Sequence, residues 1–220
     1  MRTLEVTFDA SGAAEAGRRG RVVCVVDVVD ASTSAEAALA HGALAVLGAA
    51  PSGAEPPVAV RPDAAGLRAM ALASEAGTDV VVVAEPRVGS QEERQDRAQP
   101  VLQAIEGGGV EWELVANQGA ELPGLVTLEG RVVVIVSTTG GAAFDAAAAA
   151  GAPAVCFATT ARIEGRTGWE VADAGAARAV ALAEEHDAGL TIVAASANST
   201  DDWLAAQEIA RRVVEKGFLR

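Results

Sequence analysis

An α/β fold in three layers, α/β/α with a mostly parallel sheet, follows from three observations. Short Val/Ile-rich runs alternate with alanine-rich helical stretches along the 220 residues. Several runs, VVCVV, DVVVVA and RVVVIV, are continuously apolar, as strands covered on both faces require. One strand–loop–helix unit is written twice, as RVVCVVDVVDASTSAEAALAHGALAVLG at 21–48 and RVVVIVSTTGGAAFDAAAAAGAPAVCFA at 131–158.

Apolar runs predict strands at 3–8, 22–29, 43–47, 57–60, 79–84, 111–116, 124–127, 132–137, 153–158 and 190–195. Helical spacing predicts helices at 33–41, 64–76, 98–107, 142–150, 171–187 and 201–216. Ser32 or Thr33 can cap the helix from about 34, with Glu36 completing a capping box if Thr33 is the cap. Ser199 or Thr200 can cap the last helix, with Asp201 and Asp202 facing its dipole. Gly42, Gly77, Gly151, Gly189 and Gly217 stand where helices should stop. The repeat divides the chain into related halves, 1–110 and 111–220, packed as one unit with the site between them. APSGAEPP at 50–57 is a linker or surface loop, and the charged stretch 87–99 is a flap or a solvated loop leading into a helix.

Half of the residues are apolar but only 3% are aromatic, so the core must be built from small aliphatic side chains at close helix–sheet spacing. A net charge of -13 argues against nucleic acid and anionic membrane surfaces as partners. No run approaches the ~18 apolar residues of a membrane span, and the N-terminus lacks a signal-like apolar region, so a cytoplasmic protein is expected. Cys24 and Cys156 fall at related places in the two repeats and read as small buried hydrophobes, or as a disulfide between neighbouring strands.

The break after each repeat's first strand is where function is expected, because parallel sheets bind ligands beyond their carboxyl ends, beside helix amides that attract anions. The first loop, Asp27 to Ser34, offers two carboxylates and then three hydroxyls, a grouping suited to a hard cation beside a phosphate. Asp30 and Ser32 read equally well as a turn and a cap. The second loop, Ser137 to Gly141, offers hydroxyls and open amides but no carboxylate: an oxyanion cradle, or a plain turn. Glu85, Asn117 and Asp202 follow other strands, and a parallel sheet can deliver them to the same rim.

Other chemistries lack their motifs. His41 precedes Gly42 at a helix end and reads as a carbonyl cap, and His186 sits in an acidic helix before a turn. There is no nucleophile elbow, no GxGxxG after a strand, no GxxxxGK[ST] and no Cys/His cluster with zinc spacing.

VVDVVDASTSAEAALAHGA resembles the signature of the magnesium-dependent 2-phosphosulfolactate phosphatases, where a strand ending in Asp leads to an Arg-Ala-Ser-Thr loop. VVAEPRVG is similar to that family's Gly-Glu-Arg loop, VANQGAEL to its Gly-Asn-Ser-Pro loop and VVVIVSTTGG to its Thr-Thr-Asn-Gly loop. TDDWLAAQEIARRV resembles its last helix, with Asp202 in the acidic place. The resemblance implies a Mg²⁺-dependent hydrolase of the phosphate ester of a small sulfonated or carboxylated hydroxy acid. It implies Asp27, Glu85 and Asp202 as catalytic residues, with Asp27 and Glu85 on the metal. Ser32, Thr33, Asn117, Thr138, Thr139, Gly140 and Asp30 would meet the substrate.

This chain departs from the family at Asp30, where the family has Arg, at Thr139, where it has Asn, and at Thr160, where it also has Asn. Arg grips phosphate or sulfonate bidentately, so Asp30 reverses charge where that grip is expected. The alternative is a divergent member with another reaction on a small polar metabolite, or non-catalytic binding of one. Alanine-rich outer helices of such sheets often pack against a second subunit, so a homo-oligomer is expected.

Overall fold

The computed structural model describes residues 2–220. Strands and helices alternate in the order β1 Leu4–Phe8, α1 Asp9–Arg18, β2 Val22–Val26, α2 Ala31–Ala40, β3 Ala45–Ala49, α3 Pro62–Ala76, β4 Val80–Ala84 and α4 Gln91–Glu106. β5 Trp112–Ala116, a 3-10 turn Gly119–Gly124, β6 Val132–Val136, α5 Gly140–Ala149, β7 Val155–Ala158, α6 Gly168–Glu185, β8 Leu190–Ala194 and α7 Thr200–Glu215 follow.

The strands form two four-stranded sheets, ordered β1-β8-β2-β7 and β3-β6-β4-β5, and every pairing is parallel. β2, β4, β6 and β8 are buried at every residue, so these strands show no alternation of polar and apolar side chains. Between the sheets lie α1, α2, α5 and the 3-10 turn, where Ala13, Ala35, Leu122 and Phe144 pack with Val25, Val83, Ile135 and Val193. α6 and α7 cover the outer face of the first sheet, and α3 and α4 that of the second. Each sheet is thus the centre of an α/β/α sandwich, and the two sandwiches share their middle helices.

The repeat explains this sharing. β2-α2-β3 carries the chain from the first sheet to the second, and β6-α5-β7 carries it back. Each copy's second strand therefore pairs with the first strand of the other: β7 with β2, and β3 with β6. Read from opposite edges the sheets correspond throughout, β1-β8-β2-β7 against β5-β4-β6-β3. β1 takes the place in the first sheet that β5 takes in the second. The halves 1–110 and 111–220 consequently do not own a sheet each, because β1 and β2 pair with β7 and β8 while β6 joins β3, β4 and β5.

Local outcomes differ from the sequence reading where tertiary contacts compete. No strand forms at 57–60 or 124–127. Pro56 and Pro57 cannot donate to a ladder. Val126 and Leu128 instead fill the interior from a loop. Helix α1 has no predicted counterpart, because it is short, holds Gly12 and Gly17, and buries only the small residues Ala13, Ala14, Ala16 and Gly17. That smallness lets it meet α5 closely: a Cβ at Gly17 would stand 2.6 Å from the Ala147 carbonyl oxygen. α4 begins at Gln91, not 98, behind a Ser90–Glu93 capping box, so most of the charged stretch 87–99 is helix.

Neither Ser32 nor Thr33 caps α2. Asp30 is the cap residue, its side chain takes no capping bond, and Glu36 is drawn instead into an ion pair with Arg178. Ser199 caps α7 as expected, accepting from the Asp202 amide at 3.2 Å. Gly42, Gly77, Gly151 and Gly217 adopt the left-handed conformation just past helix ends. Gly189 does not, and Asp187, with φ 47°, turns the chain after α6. His41 closes α2, its Nδ1 lying 2.9 Å from the Ala37 carbonyl oxygen. Cys24 and Cys156 are register partners, both free and buried. Contact with Cys156 and burial push the Cys24 thiol well above its ordinary pKa. No helix among the described residues is long and apolar enough to cross a membrane.

Candidate functional site

The carboxyl ends of β2 and β6 bring the two repeat loops face to face. A Cβ at Gly140 would lie 2.6 Å from Asp27 Oδ2 and 2.7 Å from the Ala31 Cβ, so the first residues of α2 and α5 abut. Only glycine fits there. Asp27 Oδ2 accepts from the Gly140 amide at 2.8 Å and from the Thr139 hydroxyl at 2.7 Å. The cradle read at 137–141 thus holds a carboxylate of the chain itself, and Asp27 is only 4% exposed.

The hydroxyls of the first loop turn inward. Ser32 Oγ accepts from the Asp27 amide at 2.8 Å and donates to the Val25 carbonyl at 3.0 Å. Thr33 donates to the Val28 carbonyl and meets the Thr159 hydroxyl at 3.2 Å. These two side chains brace the loop, a role their place at a helix start did not reveal. Ser34 donates to Asn117 Oδ1, which ties the loop to the end of β5. Asn117 is fully buried and its Nδ2 has no protein partner.

Two further carboxylates pin the second residue past the ends of β2 and β6. Asp202 Oδ1 accepts from the Val28 amide at 2.9 Å. Glu85 Oε2 accepts from the amide and hydroxyl of Thr138 at 3.2 and 3.1 Å, and lies 3.4 Å from Arg97 Nη1. Arg87 Nη2 donates to the Val29 carbonyl at 3.1 Å and lies 3.4 Å from Asp30 Oδ1. Arg87 and Arg97 are the cations that reach these acids, and neither was singled out from the sequence. They come from the Gly-Glu-Arg-like loop and from α4, and the signal was the charged stretch itself.

The acids sense one another. Burial raises the Asp30 carboxyl pKa, and Asp27 adds to the rise against the pull of Arg87. Burial raises Glu85, opposed by the Thr138 hydrogen bonds and reinforced by Asp30 and Asp27. Asp202 is pushed up to about 6 by burial, opposed by the Val28 amide and reinforced by Asp27. Asp27, Asp30, Glu85 and Asp202 therefore belong to one rim, to which Asp27, Asp30 and Asp202 come from the carboxyl ends of the first sheet and Glu85 from that of the second.

The open space beside this rim is not lined by those acids. A cavity of about 250 Å³ lies between Asp9, Ser11, Pro57, Thr138, Thr139 and Ser196. Of the predicted site residues, only the two threonines reach it. Asp9, Ser11 and Ser196 were missed because they lie in the first turn of α1 and just past β8, whose neighbourhood to the loop after β6 is visible only in three dimensions. Asp9 holds φ at 58° while its Oδ1 accepts from the Ala197 amide at 2.8 Å.

No three His, Cys, Asp or Glu side chains gather closely enough to hold a metal among the described residues. Mg²⁺ commonly takes only one or two protein carboxylates, with substrate oxygens and water completing its octahedron. Asp27 Oδ1 carries only one long bond, 3.4 Å from the Asp30 amide, and the protein bonds of Glu85 all fall on Oε2. Two hard oxygens are thus open, a donor set of the kind magnesium accepts. Neither a protein-family model nor a protein of curated function matches the chain.

Proposed function

We propose that this rim hydrolyses the phosphate ester of a small hydroxy acid, 2-phosphosulfolactate-like, with Mg²⁺. The observation that supports the reading is the set of four carboxylates around two abutting helix N-termini, of which Asp30, Glu85 and Asp202 have pKa values raised by burial and by the nearby Asp27, with Arg87 and Arg97 the cations that reach them. Asp27 Oδ1 and Glu85 Oε1 would hold the cation. Bound there, Mg²⁺ would offset phosphoryl charge and orient an attacking water. Thr138 and Thr139 border the cavity, and their hydroxyls, which donate to Glu85 and Asp27, would turn from these carboxylates to donate to phosphoryl oxygens, while Arg87 supplies the guanidinium that the first loop lacks at Asp30. Asp202, pushed up to about 6 by burial, would be the group that gives a proton to the departing oxygen.

A phosphate-release assay over phosphorylated hydroxy acids and sugar phosphates, with and without Mg²⁺, tests the reading. Glu85→Gln and Asp202→Asn should each lower kcat by about 10²-fold or more, with KM for Mg²⁺ rising only for the first. No release from any substrate sinks the proposal.

A second reading, binding of a small polar metabolite without hydrolysis, or another reaction on one, is favoured by Asp27. Its carboxylate already occupies the α5 amide where a phosphate would sit. Thermal stabilisation by sulfolactate-like acids without turnover would decide for it.

A further inference from the structure

A second site, apart from the rim, is exposed by comparing the two copies of the repeat. Glu36 and Asp145 are both the sixth residue of their helices, and both are buried. Glu36 meets the Arg178 guanidinium bidentately, Nη1 to Oε1 at 2.7 Å and Nη2 to Oε2 at 2.9 Å, while Nη1 also donates to the Phe157 carbonyl. This cluster lies beyond the edge strand β7, between α2 and α6.

The corresponding place in the other copy lies beyond the edge strand β3, between α5 and α3. Asp63-Ala-Ala-Gly-Leu-Arg68 repeats Asp173-Ala-Gly-Ala-Ala-Arg178, and the buried positions Gly66, Ala69 and Ala73 of α3 match Ala176, Ala179 and Ala183 of α6. Arg68 is therefore the counterpart of Arg178. It is exposed, however, and does not pair with Asp145. Asp145 accepts only two backbone amides, Arg61 at 2.6 Å and Ala50 at 3.1 Å. Each oxygen keeps a second acceptor direction. In place of the guanidinium there is a cavity of about 270 Å³ with Leu47, Phe144 and Ala148 in its walls, Asp145 in its lining and Arg61 and Arg68 beside it.

We propose that this cavity binds a small metabolite with a guanidinium head and a carboxylate tail, its head lying against Asp145 as Arg178 lies against Glu36. A buried carboxylate without a cationic partner is costly, and burial pushes Asp145 up to about 6. The head supplies the missing charge. The tail answers Arg68, since Arg61 is held by Asp63 at 3.0 Å, and a purely cationic ligand would meet repulsion from both arginines. The volume falls just below the ~300 Å³ at which pockets for drug-sized ligands begin, which suits an amino-acid-sized molecule.

Calorimetric titration of the full chain with L-arginine, agmatine and inorganic phosphate, at a pH above the Asp145 pKa, tests the proposal. L-arginine should bind with a Kd of about 1 mM or tighter, and agmatine, which lacks the tail, about tenfold more weakly. Asp145→Asn should weaken L-arginine about tenfold or more, and Arg68→Ala should remove its advantage over agmatine. Ala64→Trp, on the exposed side of α3 at the cavity wall, should block binding without touching the core, and decides the matter if Asp145→Asn does not fold. Absence of L-arginine binding, binding that survives both Asp145→Asn and Ala64→Trp, or a preference for phosphate that ignores Asp145 would overturn it.

Discussion

The carboxylate of Asp27 seals the N-terminus of the helix that begins at Gly140, taking its amide at 2.8 Å from a position 113 residues earlier in the chain. One copy of the repeat thereby caps the other, and a residue nominated for chemistry also holds the two copies together.

Asp27→Ala should leave the Gly140 amide and the Thr139 hydroxyl without their acceptor and lower stability by about 1–3 kcal/mol, measured by urea unfolding. Asp27→Asn keeps an acceptor oxygen and should lose less. Gly140→Ala places a methyl 2.6 Å from Asp27 Oδ2 and 2.7 Å from the Ala31 Cβ, so it should destabilise by about 1–3 kcal/mol despite alanine's better helix propensity.

Stability should fall as pH rises from about 4 to about 7. Asp145 and Asp202 have folded pKa values near 6, against an ordinary 3.8, so the folded state holds protons that the unfolded state has already released. Their contribution is complete below about 3.8 and is lost as pH passes through about 6, amounting to roughly 3 kcal/mol each. Glu5, Asp63, Glu170 and Glu208 are shifted downward and act oppositely, but at lower pH and on the surface. Urea midpoints across that window should show the slope, and Asp145→Asn should flatten it. A slope unchanged in Asp145→Asn would refute the assignment.

Arg178→Met should cost about 3 kcal/mol, because it strands Glu36, whose side chain is 4% exposed. The double variant with Glu36→Leu should recover much of that loss. A double variant as unstable as Arg178→Met alone would show that packing of the long arginine stem, not the stranded charge, is responsible.

A circular permutant opening between Arg19 and Gly20, with a short linker joining Arg220 to Arg2, should fold and unfold cooperatively. β1 and α1 would then follow α7, in the order that β5 and the 3-10 turn follow α4. The ends are close, since the Arg2 guanidinium lies 5.6 Å from the Phe218 ring centre, and a Cβ at Gly20 would meet nothing within 4 Å. Far-ultraviolet circular dichroism and a single urea transition would confirm it, and a molten product would refute it.

Much of this was written locally. The α/β class, the parallel pairing, the central strands and the two facing loops follow from unbroken valine runs and from a duplicated strand–loop–helix unit, because burial on both faces leaves its mark on consecutive residues. Asp27, Glu85 and Asp202 were also legible as strand-end residues, and Glu85 reaches the rim of the other two because the carboxyl ends of the two sheets meet there. Three features depended on what stands opposite in space. The chain divides its strands between two sheets because α2 and α5 carry it across the interior in opposite directions, and no local pattern distinguishes that crossing from a return to the same sheet. Ser32 and Thr33 turn inward because backbone carbonyls of the preceding strand and loop take their protons. Glu36 and Asp145, equivalent in the repeat, meet a guanidinium in one copy and a cavity in the other, a difference set by how α6 and α3 pack rather than by either residue. A hydrophobic pattern records how much of a residue is buried, but the partner of a buried charge is chosen by packing between segments far apart in the chain.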